Sequence, residues 1–125
     1  MASPIPLQMG DKVISVVNAV LATTIYLPIP TSGRVKDFQV ALGAALTTAD
    51  ETWTLAYAPP SSTTYTNITG GAVTIATASS AAGNVGRVAI NAANGYVTDG
   101  GTLRITPSGG GGGAVPLGIS IVIGA

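Results

Sequence analysis

Short β-branched runs, each stopped by glycine, proline, asparagine or aspartate, recur along the whole chain. In one of them Trp53, Leu55 and Tyr57 alternate with Thr52 and Thr54. Successive side chains of a strand point to opposite faces, so this alternation describes a half-buried strand and excludes a helix. The close of the chain repeats it, with Val115, Leu117, Ile119, Ile121 and Ile123 on one side. This last run is apolar almost to the final residue, which places it inside a sheet rather than in a frayed tail.

Read this way, the sequence predicts strands over 11–18, 23–30, 34–42, 51–58, 65–68, 72–78, 85–90, 102–106 and 115–124. In the third, Lys36, Phe38, Val40 and Leu42 fall on one face. Thr31-Ser32-Gly33, Asn94-Gly95 and Asp99-Gly100 are turn signals, and Gly70-Gly71 marks a turn or bulge. Residues 47–50 form a loop or a single helical turn, and 59–64, 79–84 and 91–101 are loops. The glycine run 109–113 cannot hold a regular element and reads as a mobile loop. Residues 1–10, with Pro4 and Pro6, read as an extended arm, and 11–125 as a single β-sandwich domain. The expected fold is all-β, a jelly-roll-like sandwich of eight or nine strands with no substantial helix; an up-and-down barrel is the second architecture.

The charges narrow the function. The chain has 125 residues, five basic, five acidic, and neither cysteine nor histidine. Disulfides, thiolate metal sites and the usual general base are therefore missing. Only 8% of residues are charged, against about 25% in ordinary domains. About half of the chain is alanine, glycine, threonine or serine, and its mean hydropathy is +0.51. Surfaces built from such residues, at zero net charge, repel one another weakly and favour association. This composition points to a structural or binding role and to no enzyme, cofactor or metal.

The acidic residues form no obvious catalytic pair. Asp50 and Glu51 are adjacent, so in a strand their side chains diverge, and loop solvation with local capping is expected of them. Asp99 beside Gly100 fits a turn, and no run of alternating oxygen ligands suits calcium. Neither glycine run precedes a lysine and a helix, as a phosphate loop requires. Asn67-Ile68-Thr69 matches a glycosylation acceptor, a short motif common by chance. The basic residues Lys12, Arg34, Lys36, Arg87 and Arg104 are scattered, with no basic stripe for nucleic acid. Arg34, Lys36 and Asp37 are the candidate polar contact to a neighbouring protein. Of the aromatics, Trp53 and Tyr57 read as core, while Tyr65 and Tyr96, near loops, read as exposed and suited to an interface. The arm with Pro4 and Pro6 is a further interface candidate, since extended arms clamp neighbouring subunits.

The longest uncharged apolar stretch, 13–33, has the length of a membrane span. Ser15, Asn18, Thr23 and Thr24 interrupt it and Pro28 and Pro30 close it, so no membrane partner is expected. The first ten residues carry no positive charge and no clean cleavage site, so the expectation is synthesis and use in the cytoplasm.

Val40-Ala41-Leu42-Gly43-Ala44-Ala45-Leu46-Thr47-Thr48-Ala49-Asp50 on to Leu55 resembles the small β-rich virion proteins of tailed bacteriophages. Gly71-Ala72-Val73-Thr74-Ile75-Ala76, Ser79-Ser80-Ala81-Ala82-Gly83 and the Val-Pro-containing close share the resemblance, which spans roughly residues 33–123. These are head decoration, or capsid cement, proteins. The resemblance implies a jelly-roll-like protein that assembles in the host cytoplasm and becomes part of the virion. Its partners would be the major capsid protein and its own copies, most simply as a homotrimer, without direct contact to nucleic acid. It transfers no catalytic residue. A coat subunit, a fibre or tail-tip module, and a carbohydrate-binding β-sandwich are the alternative readings.

Overall fold

The computed structural model describes residues 11–20, 24–91, 93–108 and 116–124. The proposed arm with Pro4 and Pro6 and the glycine run 109–113 lie outside the described residues. Nine strands are present among those described: β1 (Lys12–Val20), β2 (Ile25–Pro28), β3 (Gly33–Leu42), β4 (Glu51–Ala58), β5 (Thr66–Ile75), β6 (Val85–Ala89), β7 (Tyr96–Val97), β8 (Thr102–Pro107) and β9 (Pro116–Gly124). The uncharged stretch 13–33, which has the length of a membrane span, supplies most of β1, all of β2 and the first residue of β3. No helix among the described residues is long and apolar enough to cross a membrane.

The pairing scheme explains the architecture. β1 pairs with β9, β2 with β8, β3 with β6 and β7, and β4 with β5, all antiparallel. These pairs nest, first with last, like the rungs of one long hairpin. Two more pairings, β9 with β3 and β8 with β4, roll that hairpin on itself. The product is one sheet ordered β1-β9-β3-β6, with β7 also beside β3, and a facing sheet ordered β2-β8-β4-β5. We call them the first and the second sheet. The fold is thus an all-β sandwich in jelly-roll order.

The core lies between the sheets, where the alternation put it. Phe38, Leu55, Leu103, Ile105, Ile121 and Ile123 have no exposed surface, and Trp53 is 1% exposed. Val35, Val40, Leu42 and Ile119 complete the first sheet's inner face, and Val73 and Ile75 the second's. Gly86 of β6 sits where the sheets approach: a Cβ there would lie 2.5 Å from Val73 Cγ1 and 3.0 Å from Ile75 Cγ1.

Several local expectations need correction. Lys36 does not share the face of Phe38. The β3–β9 register slips between Val35 and Asp37, so Val35 enters the core beside Ile123 and Phe38 resumes beside Ile121. Lys36 is the extra residue of this β-bulge, which breaks the period-2 count. β5 is one strand, and its register against β4 shifts where Gly70 takes a positive φ of 78°. Residues 47–50 form bends and no helical turn, whereas Thr77–Ser79 form a 3-10 turn where a strand was expected to run on. β7 lies inside the segment 91–101 that read only as a loop.

Candidate functional site

The two sheets turn different chemistry outward. On the first sheet, the register aligns Ser15, Ser120, Gln39 and Arg87 in one row and Val13, Val122 and Asp37 in the next. Asp37 is 1% exposed and accepts Arg87 Nε at 3.0 Å, Arg87 Nη2, and Gln39 Nε2 at 3.1 Å. This forked pairing holds the Arg87 guanidinium above its ordinary pKa, chiefly through the hydrogen bonds to Asp37; partial desolvation pulls the other way and the Asp37 charge adds to the rise. The Asp37 and Arg87 charges are therefore neutralised within this face. Around them Ser15, Ala41, Val85, Gly118 and Ser120 line a shallow groove of about 230 Å³. Val13 and Val85 stand 47% and 52% exposed.

Lys36 and Asp11 form a second pair, with Nζ 3.1 Å from Oδ1 and side chains 3% and 2% exposed. Gly124 makes room for it, since a Cβ there would fall 1.9 Å from Asp11 Oδ1 and 2.9 Å from Lys36 Cε. Lys36 and Asp37, read from the sequence as charges offered to a neighbour, are thus buried and paired inside the chain. Isolated buried charges are too costly to leave unpaired, and the bulge turns each toward an internal partner. Arg34 is half-buried, opposite Gly124 and Tyr96 in the strand ladders. Tyr96 is 70% exposed, as its loop position suggested.

The second sheet turns out hydroxyls and one cation. Tyr26 is the cross-strand partner of Arg104, Arg104 of Ala56, and Ala56 of Asn67. The Arg104 guanidinium carbon lies 4.5 Å from the centroid of the Tyr65 ring. Tyr26, 58% exposed, meets Tyr65 edge-on, with centroids 5.9 Å apart and planes at 61°. Next to this cluster a trough of about 310 Å³ is lined by Thr52, Thr54, Asn67, Arg104, Thr106 and Ser108, with Pro107 at its side. Thr52 Oγ1 and Thr74 Oγ1 are 2.8 Å apart, and Ser108 Oγ donates to Glu51 Oε2 at 3.0 Å. Arg104 has no hydrogen bond or ion pair with any described residue, and its Nε is buried without a partner.

Tyr65, expected to be exposed, is half-buried, because its ring packs against Arg104 and Tyr26 of the same chain. That cluster was not legible, because only the strand register brings positions so far apart in sequence together. Asp50, expected to cap locally, instead accepts the N–H of Thr77, 27 residues on, at 2.8 Å. Glu51, expected in solvent, is instead fully buried at the start of β4 and held by Ser108, because it falls on the same side of the strand as Trp53. Asp99 occupies the expected turn, its N–H donated to Ser32 Oγ at 2.8 Å. No group of three or more acidic side chains that could hold a metal ion occurs among the described residues.

No protein-family model and no curated protein matches the chain. Among solved structures it is similar to the Eiger TNF from S. frugiperda, at 11% identity and a TM-score of 0.47. The alignment covers 80% of this chain and 64% of that one.

Proposed function

We propose that the chain is a viral structural protein that decorates a tailed-phage capsid and stabilises it by bridging neighbouring capsid subunits. Its partners are the major capsid protein and its own copies, as a homotrimer in the simplest symmetric arrangement, and its place is the virion after assembly in the host cytoplasm. The resemblance of residues 33–123 to head decoration proteins suggests the reading. The observation that best supports it is the outward face of the first sheet. There Arg87 and Asp37 close on each other, and Val13, Val85, Ala41 and Gly118 beside them form a small apolar patch. Such a face can be covered by another protein without stranding a charge.

The action is thermodynamic. A protein that binds the assembled shell but not free subunits stabilises the shell by mass action, by about 2.7 kcal/mol per site at a free concentration one hundred times Kd. Co-sedimentation with expanded capsid shells tests this. The wild-type chain pellets with shells, and Val85→Asp, which puts a charge on the apolar patch, weakens binding at least tenfold. Thr63→Asp, in an exposed loop, leaves binding unchanged. Failure to bind any shell form overturns the proposal.

A further inference from the structure

We propose that the outward face of the second sheet binds a carboxylated sugar, with Arg104 as the carboxylate receptor. The argument starts from scarcity. Of five cationic side chains, Lys36 and Arg87 are spent on internal acids, Lys12 is exposed and Arg34 half-buried, and Arg104 has no acceptor among the described residues. Its Nε is nevertheless buried, and a buried donor left unpaired in a folded protein is uncommon enough to need a reason. The stack on Tyr65 supplies part of that reason. It holds the guanidinium over an aromatic face without using any of its N–H donors. Tyr26, edge-on to Tyr65, backs the stack. A guanidinium fixed in this way keeps its terminal Nη donors for a planar anion, and a carboxylate accepts two of them in parallel.

The trough beside Arg104 specifies the rest of the ligand. Thr54, Asn67 and Thr106 line it, each able to donate and accept. A polyhydroxyl ligand does both as well. The volume of about 310 Å³ falls at the small end of ligand sites, room for one or two sugar rings. A single cation without a basic stripe does not suit nucleic acid. A protein carboxylate would be anchored in a desolvated, apolar-rimmed pocket, which a floor of threonine and asparagine does not provide. The site is separate from the capsid reading: it lies on the opposite sheet from Val85, and either can fail alone.

The test is titration of the full chain, followed by calorimetry and ligand-observed NMR, with four probes. These are an oligosaccharide ending in glucuronate, the same oligosaccharide ending in glucose, a short acidic peptide, and inorganic phosphate. The glucuronate form binds, and the glucose form binds at least tenfold more weakly. Arg104→Lys, which keeps the charge but loses the fork, weakens binding at least tenfold, and Arg104→Ala removes it. Thr54→Val, close in shape, weakens it severalfold, while Tyr65→Phe keeps the ring and retains binding. Near-ultraviolet circular dichroism verifies that each variant is folded. Equal binding of the glucose form, tighter binding of the peptide or phosphate, or indifference to Arg104→Ala overturns the proposal.

Discussion

Asp11 and Lys36 show how a chain with ten charged side chains handles them. Both are nearly fully enclosed, and each neutralises the other beside Gly124. Lys36→Met removes the cation and leaves the enclosed carboxylate without it. Urea unfolding of this variant is expected to show a loss of about 3–5 kcal/mol, whereas replacing both members by apolar residues costs far less. Gly124→Ala attacks the same pair from the backbone side and destabilises as well. The Asp37–Arg87 pair makes a different prediction. Its arginine is held above the ordinary value, so its stabilisation is complete below that value and is lost only as pH rises through the raised one. That window lies above about pH 12. The gap in urea midpoint between wild type and Arg87→Gln therefore stays constant from pH 6 to 10. A gap that closes within that range would contradict the assignment.

Among the elements, β6 and β5 approach closely across the sandwich at Gly86. Gly86→Val would drive its side chain into Val73 and Ile75, and overpacking of this kind costs about 1–3 kcal/mol. Thermal unfolding should show the fall, with the far-ultraviolet spectrum still that of a β protein. Period-2 alternation made most strands readable, because one face of each must enter a core. What it could not convey was local departure from that period. The bulge at Lys36 puts Val35 in place of Lys36 on the face of Phe38, Val40 and Leu42, and no residue type at that position announces it. β7 is two residues long, too short to carry a period, and turn signals surround it. Glu51 went unrecognised as a buried group because its partner, Ser108, lies 57 residues on, just past the end of β8.

For the whole molecule, the jelly-roll order follows from nested pairing of first strand with last, which strand spacing suggested and only the register demonstrates. The Tyr26–Tyr65–Arg104 cluster draws on β2, the loop before β5, and β8, so no window of sequence contains it. The two outward faces differ in chemistry, one with an apolar patch beside the Asp37–Arg87 pair and one with Arg104 among hydroxyls, and the two proposals assign a different partner to each. Self-association belongs to this scale. Native mass measurement at micromolar concentration is expected to return a trimer, and a monomer there would contradict the homo-oligomer reading.

The most direct test of the decoration proposal is calorimetry of expanded capsid shells heated with and without saturating chain. The proposal predicts a higher disruption temperature with the wild-type chain, rising further with its free concentration, and a much smaller rise with Val85→Asp. A disruption temperature unchanged at every concentration of the wild-type chain would contradict it.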